Sequence, residues 1–270
     1  MTLSESRIIF VAVSMSAATL VGQTVAVIRS QPLPSPQDAA NLESRVLQNP
    51  ENIDATKELL QYYLAIAPPP PLDSSRRAVR LQHILYLVEH HPEAAVSASK
   101  LSYVYRLNGP YASAADHEAL RDQWLAAVQG HPKNNAVMMN AVRFLEVADQ
   151  DDAEQLLQRA MEADAQNREL AANLGFLYAK EILGNGPDLA GHARNELEQT
   201  SNAIVLAAAG TTLPNLEMRA SAGRVVDQKI FDLASELSAR ARQLAPDDPD
   251  IQGPMPLIQY FAADQSRLGR

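Results

Sequence analysis

Cysteine is missing from the chain, so it forms no disulfide, carries no thiolate nucleophile and offers no sulfur ligand to zinc. Aromatic residues are scarce at 5% and glycines number only 11, while the 46% of hydrophobic residues is weighted toward Ala and Leu. That balance favours helices over strands and predicts an all-α protein. Basic charge is also short: 23 Lys and Arg stand against 32 Asp and Glu, a net charge of -9. With no Lys/Arg run to displace counterions from phosphates, nucleic acid is excluded as a partner. Catalytic signatures are missing too, since there is no G-x-S-x-G, no G-x-x-x-x-G-K and no H-E-x-x-H. The expectation is therefore a protein that is not an enzyme, with no catalytic residue, no metal site and no cofactor.

The amino terminus is where apolar residues concentrate. Between Arg7 and Arg29 lie 21 residues without a formal charge, of which 15 are apolar and the rest Ser, Thr, Gly or Gln. A signal peptide would use the first part and be cut after Thr24-Val25-Ala26, and an uncleaved anchor would use the whole run to span the hydrocarbon layer. One arginine on each side leaves both readings open. Residues 1–29 are thus expected to be a signal peptide or single-span anchor, touching the membrane through residues 8–28. The protein would then be membrane-anchored, or secreted or periplasmic. Residues 30–40, which include the prolines of SQPLPSPQD, are expected to form an extended tether.

The body, residues 41–252, repeats in register. Pro50, Pro92, Pro132 and Ala165 each follow a predicted helix, at spacings of 42, 40 and 33 residues, and Pro246 comes 81 later, two further units of about 40. Nine residues beyond the first four anchors stand Leu59, Leu101, Ala141 and Leu174, and thirteen beyond stand Tyr63, Tyr105, Leu145 and Tyr178. Each pair is four apart and shares a helix face. Counted back from the closing anchors, Ile84, Trp124, Leu157 and Ser238 recur, followed by Leu87, Ala127, Ala160 and Ala241. The pattern predicts two-helix units interrupted by the insertions APPPPLD, NGPYASAAD and GNGPDLAG. Residues 253–270 are expected to close the array as a capping segment.

Within this pattern AQNRELAANLGFLYAKEILG, residues 165–184, resembles the first helix of a tetratricopeptide repeat, with Leu174-Gly175 and then Tyr178 at that family's spacing. DDAEQLLQRAMEADA, residues 151–165, is similar to its second helix, with Ala153, Leu157 and Ala160 as small, large, small, and LASELSARARQLAPDDP resembles another second helix with its closing proline. The resemblance implies a right-handed α-solenoid of stacked helix-turn-helix repeats, preceded here by one hydrophobic N-terminal helix. It also implies a concave wall built by the first helices, on which a protein or peptide partner binds. Taken by register, the groove residues are Asn140, Arg143, Asn173, Phe176, Tyr103 and Lys57. The two asparagines would grip an extended backbone, Arg143 a carboxylate, and Tyr103 or Phe176 an apolar side chain.

The stretch VEHHPEAA offers a rival chemistry, a histidine site. His91 and His131 each precede an anchor proline, which makes them repeat positions at helix ends, where an imidazole answers the terminal carbonyls and the helix dipole. The leading expectation is a non-catalytic interaction module or scaffold. Its alternatives are a self-associating cell-envelope scaffold, hence a homo-oligomer, and a histidine-dependent metal hydrolase.

Overall fold

The computed structural model describes residues 35–65, 74–107, 111–184, 186–221 and 227–253. Among the described residues there is no strand, and eleven helices follow one another along the chain. The chain divides into two compact units, one ending at Ile66 and one starting at Ala67.

In the first unit α1 (Pro36–Gln48) packs on α2 (Ile53–Ala65) across the turn at Pro50. Ala39, Leu42 and Val46 of α1 are buried, as are Ala55, Leu59, Leu60, Tyr62 and Tyr63 of α2, and the Tyr63 hydroxyl donates to Glu43. The start of α1 corrects the expected tether, because residues 36–40 are helical. Ser35 caps the helix by accepting from the Asp38 N–H while Asp38 reaches back to the Ser35 N–H, and Pro36 occupies the first turn, where its missing N–H costs nothing.

In the second unit the helices are α3 (Ser74–His90), α4 (Ala114–Gly130), α5 (Asn135–Leu145), α6 (Gln150–Ala163), α7 (Arg168–Leu183), α8 (Pro187–Gln199), α9 (Ala203–Ser221), α10 (Gln228–Leu244) and the short α11 (Pro249–Gln252). Each of α3 to α7 packs on its successor, α7 packs on both α8 and α9, and α9 on α10. The stripes that drive this are spaced three and four apart: Ile84, Leu87 and Val88; Leu120, Trp124 and Ala127; Ala141 and Leu145; Leu170, Leu174 and Tyr178. Each fully buried large side chain contributes about 1.5–3 kcal/mol relative to exposure. Ser113, Asn134, Asn167, Asp227 and Asp248 cap the starts of α4, α5, α7, α10 and α11 with side-chain oxygens on backbone N–H groups.

The repeat positions fall as expected in α2, α5 and α7 and fail at one place. Residues 91–102, which should begin with a helix after Pro92, run instead as successive turns, and no helix forms through residue 107, so Leu101 and Tyr105 are half-buried in an irregular segment rather than on a helix face. The reason is local. Ser97 Oγ donates to the His91 carbonyl, and Ser99 Oγ and Ser102 Oγ to the Val96 carbonyl, so that hydroxyls take acceptors a helix would need. Arg80 of α3 takes two more, donating to the carbonyls of Leu101 at 2.6 Å and Tyr103 at 3.0 Å.

No helix among the described residues is long and apolar enough to cross a membrane. The hydrophobic run at residues 8–28, the spacer at 67–73 and residues 254–270 lie outside the described residues.

Candidate functional site

The six groove residues occupy different settings. Asn140 on α5 is 3% exposed, and its amide donates to the carbonyls of Pro92 at 2.8 Å and Ala94 at 3.3 Å. Arg143 donates in turn to Asn140 Oδ1 at 3.0 Å. Both are engaged by the chain itself, as a clamp on the start of the irregular segment. Tyr103 lies on that segment, its ring 4.9 Å from Tyr105 and 5.2 Å from Phe144 of α5. Lys57 is half-buried on α2 in the first unit.

Asn173 and Phe176 differ from these, forming with Lys180 a half-exposed strip along α7. Asn173 donates to the Glu169 carbonyl one turn back, the Lys180 ammonium lies 5.5 Å from the centre of the Phe176 ring, and the same ammonium is 3.2 Å from Glu146. The strip combines an amide, an aromatic face and a cation on one rigid element.

Beneath this face α7 crosses α9 at Gly175. A Cβ there would lie 2.3 Å from the Val205 carbonyl oxygen and 2.9 Å from Ala208 Cβ, so only glycine allows the two backbones to approach. At Gly210 a Cβ would meet Ser238 Oγ at 2.6 Å and the Ala234 carbonyl at 2.9 Å, which makes α9 equally close to α10.

The histidines of the opening motif terminate helices. The His91 N–H donates to the Leu87 carbonyl at 2.8 Å and the His131 N–H to the Ala127 carbonyl at 3.0 Å, so backbone N–H groups answer these end carbonyls. The His90 ring packs on Tyr86 at 4.3 Å. Among the described residues no three His, Asp or Glu side chains come together as a metal site.

Polar groups that the sequence did not single out form the most developed chemistry. His117 on α4 is 0% exposed, with Nδ1 2.7 Å from the Val104 carbonyl and Nε2 2.7 Å from Asp149 Oδ2. Both ring nitrogens face oxygens, so the buried imidazole is held at each end. Above it, a cleft of about 570 Å³ is lined by Arg106, Glu118, Arg121, Asp149, Asp152 and Leu189 among others. Its charges answer one another: Arg106 pairs with Glu118 at 2.8 Å and Arg121 with Asp152 at 2.6 Å. A larger hollow of about 690 Å³ follows the single turn His131 to Ala136 and brings no side chains of different helices together.

A second cluster joins α6, α7 and α8. Glu154 Oε1 accepts from the Tyr178 hydroxyl at 2.7 Å and from Gln158 Nε2 at 2.8 Å, and Glu154 Oε2 lies 2.8 Å from His192 Nε2. Burial first, then the charge and hydrogen bond of Glu154, push the Tyr178 hydroxyl upward, so it remains a donor. Glu181 beside it is 1% exposed, and its Oε2 meets no hydrogen-bond donor. Burial, reinforced by the charge of Glu154, pushes its carboxyl up to about 7. Sequence carried a signal for these groups: His117, Glu154 and Glu181 sit on the same three-and-four spaced stripes as Leu120, Leu157 and Leu177.

No protein-family model matches this chain, and no curated protein matches it.

Proposed function

We propose that the chain is a non-catalytic, tetratricopeptide-like binding module, a right-handed solenoid held at a membrane or exported across it by residues 8–28, which recruits a protein or peptide partner. The carrying observation is the succession α5–α6, α7–α8 and α9–α10, in which α7 meets α9 backbone to backbone at Gly175, the glycine of the Leu-Gly-x-x-Tyr motif. Of the groove positions, those on α7, Asn173 and Phe176 with Lys180, stand half-exposed, whereas Asn140 at the same register on α5 is covered by the segment it clamps. The burial of His117 away from solvent favours a structural role for its dyad with Asp149, since a general base must reach its substrate.

The reading is tested by placing a photo-crosslinking residue at Phe176, with Glu236 on the exposed side of α10 as control, and irradiating membranes that contain the whole chain. A discrete crosslinked protein from position 176, weakened by Asn173→Ala and not seen from position 236, is the expected result. Equal crosslinking from both positions, or none from either, rejects the α7 face. A product with the mass of two copies of this chain would replace the external partner with self-association.

A further inference from the structure

Helix α8 is weakly anchored by apolar contact. Of its residues only Ala193 and Leu197 are buried, and its last carbonyls are held from α10, where Arg240 donates to Leu197 at 3.0 Å and Glu198 at 3.1 Å. Toward its amino end the polar tie is His192 to Glu154, which links α8 to α6 and, through Tyr178, to α7. The carboxyl of Glu181, one turn along α7 from Tyr178, is buried, and its Oε2 has no hydrogen-bond donor to stabilise an ionised form.

We propose that Glu154, Glu181 and His192 form a proton-dependent latch that docks the amino-terminal half of α8 on α6 and α7, closed while Glu181 and His192 hold their protons and released when both are lost. With both protons in place the cationic His192 lies 2.8 Å from the Glu154 carboxylate and offsets its charge. With both gone, the charge of Glu181 adds to that of Glu154 beside a neutral imidazole, and the burial of Glu181 opposes that state. Glu196 on α8 adds a further negative charge, which raises His192. From α6 come Glu154 and Asp151, whose charges raise Glu181; from α7 come Lys180, which lowers it, and the Tyr178 hydroxyl; from α8 comes His192, which also lowers it. Helix α9 meets α7 at Gly175 with Val205, Ala208 and Ala209.

Both titrations act in one direction. Glu181 binds its proton more tightly folded than unfolded, so its contribution is lost as pH climbs from the ordinary glutamate value of 4.5 to about 7. The hydrogen bond to Glu154 raises His192 above its usual 6.5, so its contribution is complete below 6.5 and is lost as pH passes its folded value. Rising pH therefore opens the latch, and mild acid closes it.

Hydrogen exchange on the whole chain tests this at pH 5.5 and pH 8, with protection corrected for intrinsic rates. Protection of α8 amides in residues 189–195 should fall by about tenfold or more at the higher pH, while α10 amides change by less than about threefold. Glu181→Gln keeps the shape and removes the charge, and should abolish most of the fall in α8. A fall retained in Glu181→Gln, or one in wild type that α8 and α10 share, overturns the latch. Should the variant fail to fold, the comparison of α8 with α10 in wild type still decides it.

Discussion

Adding one methyl group at Gly175 and one at Gly191 should move stability in opposite directions. Both glycines lie inside helices, α7 and α8, where Ala is favoured over Gly by about 1 kcal/mol through backbone entropy alone. At Gly191 nothing lies within 4 Å of the new Cβ, so Gly191→Ala should stabilise by about 0.5–1 kcal/mol. At Gly175 the Cβ would lie 2.3 Å from the Val205 carbonyl and 3.0 Å from the Ala209 nitrogen. These are backbone atoms of α9 that no rotamer change can remove, so α9 must shift by about an ångström to restore the 3.5–4.0 Å of ordinary contact. Overpacking of that kind costs about 1–3 kcal/mol, at the upper end where backbone must move. After the propensity gain, Gly175→Ala should destabilise by about 1–2 kcal/mol. Urea unfolding of the whole chain followed by circular dichroism, and by the fluorescence of the single Trp124, buried in the same compact unit, would measure both variants. A Gly175→Ala protein as stable as Gly191→Ala would refute the close crossing of α7 on α9.

Two further outcomes are expected. Asn140→Ala removes the donor of two loop carbonyls and leaves Arg143 without one acceptor, and should cost about 2–3 kcal/mol, whereas Asn173→Ala, at a half-exposed site bonded to its own helix, should stay within about 0.5 kcal/mol of wild type by the same urea assay. Arg80→Met keeps most of the buried stem but strands the Leu101 and Tyr103 carbonyls and loses the stacking on Tyr111, a residue held at a positive φ of 56°. Limited proteolysis of that variant should cut within residues 98–107 at least about tenfold faster than in wild type, and an unchanged rate would remove Arg80 as the anchor of the segment.

The helices and most of their buried faces were legible in the chain order because periodicity is a local property: residues three and four apart share a face whatever lies opposite. That is why Leu59, Leu145, Leu174 and Tyr178 fall in the core as their spacing predicts. The register after Pro92 failed because spacing says nothing of competition for carbonyls. Serines from the segment itself and Arg80, 21 residues earlier than Leu101, take acceptors that a helix would have used.

What the sequence determined by itself is the helical class and the acidic, cysteine-free character of the chain, which follow from composition and from neighbours a few residues apart. Tertiary structure alone decided which polar groups would meet. Asn140 and Asn173 are alike in register yet one is a buried clamp and the other a half-exposed donor, and Glu154, Glu181 and His192 come from three helices to one cluster, buried on α6 and α7 and open to solvent at His192. Burial and partner geometry depend on how helices cross, and a crossing brings together residues that no local spacing relates.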